Sequence, residues 1–489
     1  MLRHSYSFSV MTLVCAMLAG CAVGPDYKRP DAPVPKAFKE ATDAMPTWSG
    51  DWKTAEPQDA AGRPEWWHVF NDPALDDLIA QVQVSNEKIQ AADAIYRQAM
   101  AKLASSRSRH FPTVEAKAGV SRAPSKSSGH IDNEHNVTLS GKWEIDIWGN
   151  VRRNAEAAEA EGQSRQANLA STLLSAQATL AENYFSLRVA DAKRALLDRT
   201  VADYAKSLQL VRNQYEAGTV QRSDVLQSKT QLKSAQAQQL DIQISRAKLE
   251  HSIAILVGKP PSELNVPPAD TQAPVPVVPV AVPSQMLERR PDISAAERRM
   301  ASANANIGVA QAAYYPKLSL SATTGLTAST LARWLSLPDH LWSIGAGLAG
   351  TVFDGGLRNA DKAKAVAVYD QEVANYRQTV LEAFREVEDN LASARVLEQE
   401  ATIQGDALRS AREALLLVNN RYKAGTASLL DVLTVQTTAY TAETTTLQIM
   451  DRQYTAAVTL IKALGGGWHG YDVEVGKVEE TASWGAPPQ

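Results

Sequence analysis

The 489-residue sequence predicts a mixed fold: a membrane β-barrel, to which each chain contributes four strands and which further copies must complete, joined to a long α-helical barrel. Three observations predict it. The chain is an internal tandem repeat, each copy holds short segments that alternate with period two, and each copy holds helical stretches too long for an ordinary globular domain.

The chain opens with a removable address. Arg3 and His4 precede an apolar run from Phe8 to Leu18 that closes in Leu18-Ala19-Gly20-Cys21, a pattern that is cleaved rather than folded. Small residues immediately before a cysteine resemble the bacterial lipobox, so residues 1–20 are expected to leave as a lipoprotein signal and Cys21 to carry the lipid attachment. Ala22 stands where the Asp of inner-membrane retention would stand, which directs the product to the outer membrane. Residues 21–73 form an N-terminal anchor and extended segment.

The repeat follows. Leu210-Val211-Arg212-Asn213-Gln214-Tyr215-Glu216-Ala217-Gly218-Thr219, leading to Asp224, recurs as Leu417-Val418-Asn419-Asn420-Arg421-Tyr422-Lys423-Ala424-Gly425-Thr426, leading to Asp431. Upstream, Phe111-Pro112 answers Tyr315-Pro316. Repeat 1 is expected over 74–258, a Pro-rich, PPII-like connector over 259–287, repeat 2 over 288–464 and a C-terminal tail over 465–489.

Each copy begins with a helix and two strands, about 111–123 and 135–148 in the first, about 315–327 and 341–354 in the second. From Asn136 to Trp148, Val137, Leu139, Gly141, Trp143, Ile145 and Ile147 share one face, and Asn136, Thr138, Ser140, Lys142, Glu144 and Asp146 share the other. A soluble half-buried hairpin would alternate in the same way. Segment length near the ~9–11 residues of a tilted membrane strand, interfacial candidates Trp143, Trp148, Trp334 and Trp342, and the address all favour a barrel. No helix-type apolar span of ~18–20 residues exists. Four strands cannot close a barrel and open edges cannot face lipid, so strands must be pooled. Eight would leave an interior filled by side chains, whereas twelve leave room for solute.

The helical stretches come next, about 151–215 and 222–258, then 358–422 and 428–464. Val151 to Tyr215 has no Pro and only Gly162, and Arg358 to Tyr422 is interrupted only by Gly405. At 1.5 Å per residue each could extend on the order of 95 Å. Apolar or small residues recur at three- and four-residue spacing, so each helix needs neighbours along its length.

Composition excludes several function classes. Cys15 and Cys21 are the only cysteines, which leaves no thiol for a disulfide, thiolate metal site or nucleophile after processing. The formal charge of −4 has no basic block, so no nucleic-acid partner is expected. There is no GxSxG, HExxH or P-loop, and no cofactor site, catalytic residue or metal centre is expected. His130, Asp132, Glu134 and His135 are read as a polar loop between the first two strands. Arg289-Arg290-Pro291-Asp292 is read as a helix start, with Asp292 or Ser294 able to cap it and Ser294-x-x-Glu297 as a capping box.

The Gly218-Thr219 and Gly425-Thr426 breaks are read as tips where one helix turns into the next, since Gly tolerates positive φ at a helix end. Asp224 and Asp431, six residues on, would complement the positive end of the following helix. A sharper reading makes them a ring of carboxylates constricting an entrance.

At this point the residues resemble the outer-membrane efflux proteins, in particular the acylated channel subunits that serve resistance-nodulation-division pumps. The marks are Cys21-Ala22-Val23-Gly24-Pro25-Asp26-Tyr27, Trp66-Trp67 with Phe70 and Asp72-Pro73, the Arg289-to-Ile293 run, Phe353-Asp354-Gly355-Gly356, both Tyr-x-Ala-Gly-Thr turns, and Leu464-Gly465-Gly466-Gly467-Trp468. The resemblance implies a homotrimer in the outer membrane, with a twelve-stranded barrel of four strands per protomer and a periplasmic coiled-coil tunnel, acting as a passive gated conduit, not an enzyme. It implies as partners outer-membrane lipid, a periplasmic adaptor and an inner-membrane pump of that class. It also implies constriction positions at Tyr422 and Asp431, with Ser223 and Asp224 as counterparts, and adaptor contact at the Gly218-Thr219 and Gly425-Thr426 tips. Ala427 and Thr434 depart from relatives that carry a gate-tying Arg and a further Asp. Type I protein secretion and a non-transporting envelope tether remain the alternatives.

Overall fold

The computed structural model describes residues 23–32, 34–35, 37–41, 65–124, 131–269, 275–276, 289–328 and 340–466. Cys21, His130, Trp334 and the tail beyond Gly466 lie outside the described residues. The chain divides into two compact units, one of Met1–Ala32, Ala94–Gln166 and Ala295–Gln378, the other of Pro33–Asp93, Ala167–Ser294 and Thr379–Gln489. In chain order the regular elements are α1 (Pro73–Ser85), α2 (Glu87–Ser108), β1 (Thr113–Pro124), β2 (Ile131–Ile145), α3 (Asn150–Glu216), α4 (Arg222–Leu256), α5 (Pro291–Ala312), β3 (Lys317–Ala328), β4 (His340–Ala349), α6 (Leu357–Lys423) and α7 (Leu429–Ala463). Elements α2 and β1 match α5 and β3 in length at a displacement of 204 residues, while α3 and α4 match α6 and α7 at 207. Three extra residues therefore lie between β3 and α6.

The first unit holds a single antiparallel sheet in the order β1-β2-β3-β4, in which β2 of one copy pairs with β3 of the other. Register brings like faces together. Val114, Gly141, Ala322 and Ile344 form one cross-strand row, and Ala116, Leu139, Thr324 and Trp342 form the next. Ile344, Leu348 and Trp342 remain 80%, 69% and 72% exposed. A soluble protein would cover such a face; here the pleat presents it outward.

Strand β2 differs from expectation at both ends. It begins at Ile131, so Ile131 to His135 belong to the ladder with β1 rather than to a polar loop. It stops at Ile145 because the Asp146 carboxylate accepts the amides of Val151 at 3.0 Å and Arg152 at 2.8 Å, turning the chain into α3. Strand β4 likewise ends at Ala349, and Asp354 accepts the Arg358 amide at 3.3 Å ahead of α6. Trp148 consequently leaves the sheet; its indole donates to the Pro316 carbonyl at 2.8 Å and stacks on Tyr315.

An N-terminal strap lies on this unit. The Val23 amide donates to Trp148 O at 3.1 Å, Arg153 pairs with Asp26 at 2.8 Å, and Arg29 pairs with Glu297. Burial beside the Glu297 charge raises the Tyr27 phenol.

The second unit is helical and closes around aromatic residues. Trp66, Trp67 and Phe70 are buried with Phe185 and Tyr454, whose rings stack at 4.4 Å. Tyr184 donates to Asp72 at 2.7 Å, and burial followed by that bond pushes its phenol up to about 12. Asp72 also caps α1 through the Ala74 amide at 3.0 Å. The start of the connector is pinned by Arg188, which donates to Pro267 O at 2.8 Å, and by Arg246, which joins Asp191 at 2.7 Å and Val266 O.

Each copy ends in the same lock with different chemistry. The carbonyl of Leu256, at the end of α4, accepts from Asn86 Nδ2 at 2.7 Å; the corresponding carbonyl of Ala463, ending α7, accepts from Arg290 at 3.0 Å. This use of Arg290 changes the start of α5. The helix begins at Pro291, whose missing amide costs nothing at a first turn, and the Asp292 carboxylate turns back onto Arg290. Ser294 lies inside the helix rather than at its cap, and Glu297 is engaged by Arg29.

A contrast between glycines follows. Gly258 has φ +70 and an added Cβ would sit 2.0 Å from Ser85 O, whereas Gly218 has φ +75 and nothing within 4 Å. Gly218→Ala should therefore cost only the left-handed strain of about 1–2 kcal/mol. Gly258→Ala should cost more, read as a larger loss of thermal stability by circular dichroism.

Candidate functional site

The sequence-selected residues lie where the long helices turn, at the α3–α4 and α6–α7 connections, both in the second unit. The two turns are built alike. Helix α3 ends when Thr219 N donates back to Gln214 O at 2.9 Å and Gly218 N to Tyr215 O at 2.9 Å; α6 ends with Thr426 N to Arg421 O at 2.9 Å and Gly425 N to Tyr422 O at 3.0 Å. This is the Schellman pattern, which needs a left-handed residue after the helix. Thr219 and Thr426 add their hydroxyls to the same carbonyls, at 2.9 and 3.1 Å.

The next helices start with an aspartate at the third position. Asp224 accepts the Gln221 amide at 3.1 Å, and Asp431 accepts the Ser428 amide at 2.9 Å. In the second copy Ser428 Oγ also receives the Asp431 amide at 3.1 Å and donates to Asp431 Oδ2 at 2.7 Å, completing a capping box. These bonds, the Ser428 hydroxyl first, hold the Asp431 carboxyl below the usual carboxylate value. The carboxylates that would form a charged ring are thus also the groups that start α4 and α7.

The turns are tied together through Gln214, a residue that sequence reading did not single out. Tyr422 OH donates to Gln214 Oε1 at 2.7 Å, and the ring packs by Val211, Leu429 and Leu433. Burial, with a contribution from the Asp224 charge, raises the Tyr422 phenol. Its counterpart Tyr215 is 45% exposed. Gln214 sits at the position corresponding to Arg421, so aligning the copies would have flagged it as a difference. Arg421 itself donates to Thr426 O at 3.2 Å and its charge lowers Asp431. Ser223 stays on the exposed first turn of α4, its hydroxyl donating to Gln221 Oε1 at 3.4 Å.

Behind the turns a groove of about 500 Å³ runs beside Tyr204, Leu210, Leu415 and Tyr422. Glu443 bridges Arg199 at 3.4 Å and Arg412 at 2.8 Å across it. Further hydrogen bonds join the hairpins, from Gln231 to Thr437 at 2.8 Å and from Tyr440 to Gln238 at 2.7 Å. Among the described residues no group of three or more His, Cys, Asp or Glu side chains could hold a metal ion, and no helix is long and apolar enough to cross a membrane.

Comparison with known proteins gives a family. The model of the outer membrane efflux protein family matches residues 78–259 and 282–466. The chain is 30% identical over 485 residues to the probable efflux pump outer membrane protein TtgC of Pseudomonas putida, covering 98% of each. It is 30% identical over 424 residues to the pyoverdine export outer membrane protein OpmQ of Pseudomonas aeruginosa, covering 84% of this chain and 89% of that one. Among solved structures, the outer-membrane channel OprN superposes with a TM-score of 0.83 at 30% identity over 92% of this chain and all of that one. The open state of the Neisseria gonorrhoeae MtrE channel gives 0.79 at 27% identity, with 92% and 99% covered.

The Asp431 cap has a pH signature. A carboxyl held low contributes stability that is present above its ordinary value and is lost as pH falls through and below that range. Asp431→Asn should speed amide exchange in the first turn of α7 at neutral pH, and the difference from the parent protein, read by hydrogen exchange, should shrink once both are acidified below the carboxylate range.

Proposed function

The chain belongs to the outer membrane efflux protein family, and from that premise we propose that it is the outer-membrane channel of a tripartite efflux pump, a passive gated conduit for small molecules. The observation that carries the reading is the sheet: four strands in register, one face apolar and exposed, the other polar, with β1 and β4 as open edges. An open edge in hydrocarbon leaves backbone groups unsatisfied at several kcal/mol each. Pairing β1 of one copy with β4 of the next removes both edges, and three copies give twelve strands with a lumen wide enough for solute. The protein works in the outer membrane, and Cys21 supplies the acyl anchor.

The long helices continue the conduit into the periplasm, and the Gly218-Thr219 and Gly425-Thr426 turns form its mouth. There a periplasmic adaptor docks and couples the duct to an inner-membrane resistance-nodulation-division pump. Asp224 and Asp431 line the constriction, Ser223 lies beside them, and the Tyr422–Gln214 bond holds the two hairpins of a protomer in the closed arrangement. Catalysis has no part in this scheme; the energy comes from the pump.

Purified trimers in planar bilayers should carry ion current, and loss of the gene should reduce export of small toxic solutes. Tyr422→Phe removes one net hydrogen bond, about 1 kcal/mol, so the open fraction should rise roughly fivefold or more. No current from wild-type trimers, together with unchanged export in the deletion strain, would refute the channel.

A further inference from the structure

The polar face of the sheet carries an unbalanced charge. It is walled mainly by Ser, Thr and Gly, and its charged positions at the helix-joined ends of the strands are Glu115, Lys117, Lys142, Glu144 and Lys317. Two pairs neutralise each other: Lys117 reaches Glu115 at 3.3 Å, and Lys317 reaches Glu144 at 3.3 Å. Lys142 lies opposite Thr113 on β1 and Ser321 on β3, with Gly345 completing the row on β4. Among the described residues no carboxylate comes within ion-pair distance of it, and the side chain is exposed.

We propose that Lys142 is a selectivity residue of the conduit. Three copies form a cationic collar at the helix-joined end of the barrel lumen, where it attracts and concentrates anionic solutes. The inference rests on the channel reading, in which the polar face lines the lumen of a trimer. Like charges repeated around a water-filled, low-dielectric wall focus their field on passing ions. Small neighbours in the same row leave the ammonium group in solvent rather than drawn into a pair.

The test uses full-length trimers in planar bilayers under a KCl gradient, with hexacyanoferrate added on the barrel side as a polyvalent anion probe. In Lys142→Gln the reversal potential should move toward potassium and the hexacyanoferrate block should weaken roughly fivefold or more. The paired control Glu115→Gln with Lys117→Gln should leave both unchanged. Because Cys15 and Cys21 are the only cysteines, Lys142→Cys offers a single free thiol in the mature acylated protein. A cationic methanethiosulfonate reagent should restore the block there and an anionic one should abolish it, within one assembled protein. Wild-type reversal potential and block in Lys142→Gln, or indifference of the thiol variant to reagent charge, would overturn the collar and leave the channel reading intact. No current from the parent protein would instead remove the channel reading beneath it.

Discussion

The constraint on which the rest depends is the pair of unsatisfied strand edges on β1 and β4. Among the described residues the ladder of one protomer is complete only between neighbours β1 to β4, and each edge strand presents a row of amides and carbonyls with no partner in the sheet. Beside hydrocarbon such a row is untenable. The sheet is therefore unfinished by construction of its own topology, and the exposed face that carries Ile344 and Trp342 is a surface suited to lipid after closure rather than a flaw in packing. Because β2 and β3 come from different copies of the repeat, the duplication supplies the central ladder, and further copies of the chain supply the rest.

The duplicated unit reuses geometry while changing chemistry. Asn86 and Arg290 cap equivalent helix ends, one as a neutral amide and one as a guanidinium that also holds Asp292 and Glu386. The turns show the same divergence. Both end helices by the same backbone bonds, yet only Tyr422 is drawn inward to Gln214, while Tyr215 stays exposed. Backbone requirements at a turn are strict, so they persist in both copies. Side chains above the turn are free to differ, because the backbone bonds that end the helix do not involve them.

The aspartates at the turns join two roles. A carboxylate at the third position of a helix satisfies an amide and opposes the positive helix end, and it leaves the charge at the solvent edge where a constriction would need it. Structural and functional readings of Asp224 and Asp431 are compatible for that reason. A substitution that changes conduction should be judged beside its effect on the first turns of α4 and α7.

Much of the architecture was legible because periodicity and repetition are local properties of the chain. Period two from Val137 to Ile145, the recurrence of Tyr-x-Ala-Gly-Thr, and the scarcity of Gly and Pro between Val151 and Tyr215 depend on no distant contact. Where distant contacts decide, sequence reading went astray. The Arg290-Pro291 run does start a helix, but Ser294, one of the two cap candidates with Asp292, lies inside it, because Arg290 is drawn to Ala463 O, 173 residues away, and the helix starts at Pro291. Strand β2 was expected to reach Trp148, but Asp146 turns back to cap α3 and releases that indole to Pro316. Sequence alone determined the duplication, the two-faced strands and the long rods, since these follow from spacing and composition. Only the tertiary structure decided strand order, the register that leaves Lys142 unpaired, and the choice of Gln214 for Tyr422, because each joins residues that chain connectivity does not bring together.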